Sequence, residues 1–443
     1  MTMASKTGKV INLGLIGFGT IGTGVVKLLR ENGELIERRA GAKLHLRKIA
    51  DLDIEKSRNV FVEKDCLTTH AEEILQDPDI DIVIELIGGY EPARAFLNEA
   101  ARQKKHIVTA NKALLAAHGD EIFQIVAKEG VQIGFEASVG GTIPIVRTLR
   151  EAMVGDRIKS IYGIVNGTAN YILSKMTDEG RSFAEVLQEA QSLGFAEADP
   201  SFDIEGVDTS HKLAITLALA YGQRVQLKGL YTEGISQVSQ QDVVFARELG
   251  YRIKLLAIAI SRGEQVEARI HPTMIPLDDL LANVNGNFNA FHIIGEASGS
   301  VFLYGQGAGM MPTASAVISD IVDIAKEILK DPLKRSSGYF ASNVHSRDLP
   351  LLPMADVFTN YYFRFTAVDR PGVLSKISGI LAENNISIAS VIQKGRKESG
   401  AVPVVMTTYK SCERDVQEAL VRIDNLDVVL DRTIRIRIED KKL

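Results

Sequence analysis

Tryptophan is absent from this chain and cysteine occurs only twice, at Cys66 and Cys412. Two cysteines so far apart make neither a disulfide framework nor a metal-binding cluster, so a reducing compartment, the cytoplasm, is expected. No apolar run approaches the roughly 20 residues that span a bilayer. The longest candidate, Leu255-Leu-Ala-Ile-Ala-Ile260, has the length of a strand, and the first nine residues are polar, without the apolar centre of a signal peptide. Positive charge is not in excess: 51 Lys and Arg face 56 Asp and Glu, and the net charge of -5 gives no footing for nucleic acid. The eight histidines show no ligand spacing, and no Ser/His/Asp or Cys/His arrangement stands out. What remains is ordinary: 443 residues, 45% hydrophobic and 24% charged, predict a soluble globular protein of two or three domains.

The first domain is expected over residues 1–150. Val10-Ile-Asn-Leu-Gly-Leu-Ile16 reads as a buried parallel strand and Gly17-Phe-Gly19-Thr-Ile-Gly22 follows at once, opening a helical pattern. Strand, glycine turn and helix together make a dinucleotide fingerprint. Gly17 permits the turn, Gly19 lets backbone approach a pyrophosphate, and Gly22 lets helix pack on strand. The N–H groups of Phe18, Thr20 and Ile21 would face the phosphates. Asp51 ends the next strand, where a carboxylate receives ribose hydroxyls and favours NAD. Arg47, Lys48, Lys56 and Arg58 lie nearby in sequence and could meet the 2'-phosphate of NADP, so the cofactor stays open. Further strands are expected over 82–86, ending in Gly88-Gly89, over 106–110, ending in Asn111-Lys112, and over 131–135. Lys112 would sit where a nicotinamide meets its substrate; the bland reading is a solvated lysine. Glu136-Ala-Ser-Val-Gly-Gly-Thr-Ile-Pro144 sets one carboxylate beside a glycine-rich turn, which suits a monovalent or hard cation as well as a purely structural loop.

The middle domain, over 151–304, carries the densest chemistry. Residues 190–212 hold five acidic residues and one lysine. Gly206 opens a helical pattern on which Asp208 and Lys212 stand one turn apart on one face. A carboxylate one turn below a lysine keeps the ammonium charged and placed, as proton delivery to a carbonyl oxygen needs; a surface ion pair is the bland reading. Strands are expected over 160–165, 254–261, 266–270 and 301–304, with 271–276 read as a turn or loop. A second glycine run, Gly305-Gln-Gly307-Ala-Gly309, opens a helix over 313–329 that would complete the first domain. Residues 330–356 read as a linker. The tail, 357–443, follows the order βαββαβ of a ferredoxin-like unit whose sheet edges suit pairing with a copy of itself. The fold class is therefore α/β: a Rossmann-type domain, an α+β catalytic and dimerisation domain, and a ferredoxin-like tail.

The spacing Ala190, Gly194, Asp199-Pro200, Asp203, Gly206, Asp208 and Lys212 closely resembles the signature of homoserine dehydrogenase. Thr109-Ala-Asn-Lys-Ala-Leu-Leu115, the turn at Glu136 and Gly305-Gln-Gly-Ala-Gly309 also look like motifs of that family, so the resemblance covers about residues 11–329. The tail resembles an ACT domain through Asp369-Arg-Pro-Gly-Val-Leu374. The resemblance implies reversible NAD(P)-dependent reduction of L-aspartate 4-semialdehyde to L-homoserine, on the way to threonine, methionine and isoleucine. It implies Lys212 as proton donor, Asp208 positioning it and binding substrate, and Glu197 taking the substrate ammonium with Gly194 and Asp203 in the same site. It further implies Lys112 beside the nicotinamide, and Gly307 and Gly309 near the cofactor. A sodium or potassium ion would be held by Glu136 with the carbonyls of Val139, Gly141 and Ile143. Threonine would act through the ACT domain, and the chain would form a homodimer or homotetramer. One departure stands out: many members carry arginine where this chain has Ala50-Asp51. Two alternatives remain, a non-catalytic NAD(P)-binding amino-acid sensor and a reductase of another semialdehyde.

Overall fold

The computed structural model describes residues 9–330, 345–393 and 400–440, so residues 1–8 and most of the expected linker lie outside the description. The chain divides into two compact units, each assembled from separate stretches.

The first unit holds residues 1–158, 211–227 and 295–349. Its sheet has six strands, in the order Leu67–Thr68, Lys43–Ala50, Val10–Ile16, Ile82–Glu85, His106–Thr109, Ile133–Gly134. Every pairing is parallel. The strand order reverses beside Val10–Ile16, which places the end of that strand at the switch point where α/β sheets bind ligands. Both faces are covered, so the central strands are apolar throughout: Leu13, Leu15, Ile82, Val83 and Ile84 are fully buried. The helix Met310–Lys330 returns to lie on Thr20–Glu31, where a Cβ on Gly24 would come within 2.9 Å of the Met310 carbonyl oxygen. It starts three residues before the helix expected from Thr313.

The second unit holds residues 159–210, 228–294 and 350–443. Eight of its strands lie side by side in the order Phe288–Gly295, Ile158–Ile164, Tyr251–Arg262, Gln265–Pro276, Ile434–Ile438, Phe358–Val368, Ala401–Thr408, Ile388–Gln393. Three expectations are corrected here. Residues 271–276 are strand, not loop: they pair with residues 251–256 on one side, and Thr273 and Met274 pair with Arg437 and Ile438 on the other. Two prolines hid this, yet both are accommodated within the antiparallel register. The last strand of the tail continues the middle sheet. That strand is therefore not a free edge, and among the described residues Ile388–Gln393 is the edge strand of the tail. The last strand, expected over 428–438, is also shorter, beginning at Ile434. The order βαββαβ itself is present, with Val373–Glu383 and Glu413–Asp424 as its helices.

Lys254 is fully buried on the middle sheet, its Nζ donating to Val284 O at 2.6 Å and to Asn170 Oδ1 at 2.9 Å. Burial pushes its pKa down to about 7 from an ordinary 10.5, and Arg252 adds to the shift. The folded chain then binds fewer protons here than the unfolded chain between those values, so this group makes stability rise with pH from about 7 to 10.5. Lys254→Gln is expected to remove this one-proton slope, so that the wild-type-minus-variant difference in unfolding free energy rises by about 1.4 kcal/mol per pH unit over that window. Parallel wild-type and variant profiles from urea unfolding between pH 7 and 10 would show that the amine does not titrate this way.

Candidate active site

In the first unit the fingerprint is built as its glycines require. Gly17 has φ +101°, and a Cβ there would stand 2.7 Å from the Leu86 carbonyl carbon. A Cβ on Gly22 would collide with the Gly17 carbonyl oxygen, whereas nothing lies within 4 Å of one on Gly19. The first and third glycines serve packing, and the second leaves open backbone, so the turn fits a dinucleotide pyrophosphate. The helix starts at Thr20, which puts the Thr20 and Ile21 N–H groups in its first turn, where an anion is favoured.

Phe18 departs from the expected arrangement. Its N–H donates to Asp51 Oδ2 at 2.6 Å rather than standing ready for a phosphate. Asp51 also accepts from Asp53 N at 2.9 Å and pairs with Arg58 at 3.1 Å. The Arg58 guanidinium lies 4.4 Å from the centre of the Phe18 ring and is almost wholly buried. Arg47 is committed to Asp77 at 2.7 Å and Asp79 at 3.0 Å, and Lys48 to Glu73 at 2.6 Å.

The ends of the next two strands are tied by a carboxyl that the sequence did not single out. Glu85 is fully buried; its Oε1 accepts from Ile87 N at 2.9 Å and Gly88 N at 3.2 Å, and its Oε2 from Thr109 Oγ1 at 2.7 Å. Burial pushes its pKa up against those bonds. Thr109 in turn receives Asn111 N at 3.0 Å, while Asn111 donates to Gly89 O at 2.8 Å and caps the helix Lys112–Glu129. Lys112 is thereby fixed as the first residue of that helix, half-buried, with the Gly88-Gly89 turn tied to its cap.

The turn at Glu136 is also firmly held. Its two carboxylate oxygens accept from Val146 N and Arg147 N, both at 2.9 Å, and its own N–H donates to Asp320 Oδ2 at 2.9 Å. Burial, then the Glu136 charge, raises the pKa of Asp320. A Cβ on Gly141 would stand 2.6 Å from the Gly307 carbonyl carbon, so the two glycine runs lie against each other. Gly309 has φ +122° and precedes the helix Met310–Lys330. Ile143 O already accepts from Ile145 N at 2.7 Å. Among the described residues no group of three or more His, Cys, Asp or Glu could hold a metal ion. One carboxylate with three carbonyls is a different donor set, and each of those oxygens keeps a second lone pair.

In the second unit one asparagine gathers the acidic residues. Asn166 caps the helix Gly167–Glu179, accepting from Ala169 N at 2.8 Å, and its Nδ2 donates to Asp203 Oδ1 at 2.7 Å and Asp208 Oδ2 at 2.8 Å. Residues 204–206 turn the chain between those two aspartates, with Gly206 at φ +80°. The helix Val207–Tyr221 then carries Asp208, 2% exposed, and, among its residues 211–221 that count with the first unit, Lys212, 7% exposed. Burial of both rules out the surface ion-pair reading, because an exposed pair would not be desolvated. Gly194 has φ +73°, and Glu197 lies exposed in the loop that follows, its carbonyl receiving Gln191 Nε2 at 3.1 Å. Asn166 and Glu85 were missed as site residues. The first had a readable signal, an Asn directly before a helix; the second had none.

The fold and these groups define a Rossmann-type oxidoreductase with an appended βαββαβ module. Residues 17–136 match the family described as "Homoserine dehydrogenase, NAD binding domain", residues 144–322 "Homoserine dehydrogenase", and residues 361–427 "ACT domain". The chain is 43% identical over 431 residues to the homoserine dehydrogenase of Neisseria gonorrhoeae, covering 97% of this chain and 99% of that one. Its fold is similar to the crystal structure of a homoserine dehydrogenase from Thiobacillus denitrificans, with TM-score 0.92, 46% identity, and coverage of 98% and 99% of the two chains. The S. aureus homoserine dehydrogenase superposes with TM-score 0.75 at 33% identity, over 97% of this chain and 99% of that one. This chain belongs to the homoserine dehydrogenase family, and is an NAD(P)-dependent oxidoreductase interconverting aspartate 4-semialdehyde and homoserine.

Proposed function

We propose that the helix carrying Asp208 and Lys212 performs the proton transfer of this reaction, and that the Asp203–Asn166–Asp208 group binds the substrate. The observation that carries this reading is Asn166, whose amide joins both carboxylates at the foot of that helix. A bound nicotinamide supplies the hydride. Negative charge then develops on the aldehyde oxygen, where Lys212 delivers its proton and Lys112 adds a second positive charge. Asp208 holds Lys212 charged, and Glu197 takes the substrate ammonium through a charge-assisted bond. Since Glu197 is exposed, Glu197→Gln leaves the fold alone. It is expected to raise KM for homoserine about tenfold to a hundredfold with little change in KM for the cofactor. An unchanged KM for homoserine would remove Glu197 from the site.

NAD is read as the preferred cofactor. Arg47 and Lys48 are engaged by Asp77, Asp79 and Glu73 and so are not offered to a 2'-phosphate, while the Asp51–Arg58 pair leaves no net positive charge at the ribose edge. Glu136, Val139, Gly141 and Ile143 are read as holding a monovalent cation, whose single charge matches one carboxylate. Threonine is read as the ligand of the ACT module, and a homodimer or homotetramer as the assembly. No helix among the described residues is long and apolar enough to cross a membrane, and the two separate cysteines support a cytoplasmic setting.

A further inference from the structure

One tie between the tail and the middle sheet's neighbours is a buried arginine. Arg437, fully buried on the last strand, donates from Nε to Glu413 Oε2 at 2.9 Å and from Nη2 to Glu413 Oε1 at 2.7 Å. Those partners belong to the tail. Its other contacts do not: Nη1 donates to Glu233 Oε2 at 2.9 Å, Nη2 donates to the Tyr231 hydroxyl at 3.0 Å, and that hydroxyl donates to Glu233 Oε2 at 2.6 Å. Burial raises the pKa of Glu413, but the Arg437 bond and charge outweigh it and bring it down to about 2.

Glu233 stands in a short segment with a second commitment. Its N–H donates to Ile270 O at 2.8 Å, and Ile235 N donates to Ile204 O at 2.8 Å. Gly234 is pressed so closely against the turn that a Cβ would stand 2.5 Å from Glu205 Cα and collide with the Ile204 carbonyl oxygen. A Cβ on Gly206 would lie 3.1 Å from Thr232 Cγ2 and 3.3 Å from Ile270 Cγ2. Residues 232–235 are thus wedged between the arginine of the tail and the turn 204–206. That turn separates Asp203 from Asp208, the two carboxylates joined by Asn166.

We propose that Glu233 is a positioning residue through which the ACT module, gripping it with Arg437, sets the placement of the substrate carboxylates Asp203 and Asp208. The inference rests on reading those carboxylates as the substrate site. Tightly packed backbone transmits a displacement rather than absorbing it, because neither Gly234 nor Gly206 has room to yield. A shift of the last strand would reach the turn through one side chain and one backbone segment, with no change required at the cofactor fingerprint.

The same tail supplies a control. Glu439, just past the last strand, pairs with Arg269 at 2.6 Å, and Arg269 with Glu267 at 2.5 Å. That link also ties the tail to the middle sheet, but it includes none of residues 204–206 or 232–235. Glu233→Gln is expected to raise KM for homoserine about fivefold or more, with KM for the cofactor within twofold. Arg437→Lys, a milder change, is expected to act in the same direction and serves if Glu233→Gln does not fold. Glu439→Gln is expected to lower the unfolding temperature and leave both KM values alone. Homoserine KM unchanged in both Glu233→Gln and Arg437→Lys overturns the proposal, as does an equal rise in Glu439→Gln, which would mean general loosening. If Asp203→Asn leaves KM for homoserine unchanged, the substrate-site reading fails; if Asp203→Asn raises it but Glu233→Gln and Arg437→Lys do not, only the positioning role fails.

Discussion

Lys212→Ala is expected to lower kcat for homoserine oxidation by a thousandfold or more, while the Kd for NAD stays within twofold. Two effects act together. General acid–base catalysis by a placed group is worth about 10²–10⁴-fold. A buried ammonium next to developing negative charge adds electrostatic stabilisation, worth about 10²–10³-fold when one such donor is removed. Lys212 satisfies the burial condition at 7% exposed, and lies one helical turn beyond the 2%-exposed Asp208. The fingerprint at Gly17, Gly19 and Gly22 belongs to other elements, so cofactor affinity should not follow kcat. Lys212→Met keeps the volume of the side chain and separates lost chemistry from lost packing. Stopped-flow and steady-state rates with fluorescence titration of the dinucleotide make the comparison. More than a tenth of wild-type kcat in both variants would remove Lys212 from the proton-transfer step.

The second large effect concerns the tail. A chain ending at Lys330 is expected to be insoluble, or to unfold at least about 10 °C below the full chain, rather than to be a merely desensitised enzyme. The last strand supplies the outer neighbour of residues 273–274. Loss of the tail strips partners from two buried groups and a half-buried one: Arg269 loses Glu439, Asp242 loses Arg364 at 2.6 Å, and the half-buried Glu233 loses Arg437. Removing one partner of a buried ion pair costs about 3–5 kcal/mol, and a whole domain is stable by only about 5–15 kcal/mol. A soluble truncated chain with wild-type unfolding temperature and homoserine KM would contradict this. Threonine sensitivity is therefore better assigned by substitution inside the ACT module than by removing it.

How far the sequence foretold these features follows from distance along the chain. The fingerprint is local: strand, three glycines and helix lie within residues 10–31, and each glycine's role can be read from its spacing. The Asp208–Lys212 pair is equally local, four residues on one helix. The βαββαβ order of the tail was legible because its strands alternate with clear turn signals. What stayed hidden joins remote segments. The pairing of residues 273–274 with 437–438 links positions far apart, across a stretch whose prolines argue against a strand. Arg58 reads as a free cation near a phosphate site until the fold lays it on Phe18 and Asp51. Glu85 sits at a strand end like many acidic residues, and only three dimensions show that its oxygens hold both the Ile87–Gly88 turn and Thr109.

The most direct measurement is oxidation of L-homoserine by the full chain, followed as absorbance at 340 nm, with NAD and with NADP in parallel. The account predicts steady turnover with NAD, exceeding that with NADP because Asp51 stands at the ribose edge. No turnover with either cofactor, in protein shown to bind the dinucleotide, would contradict it.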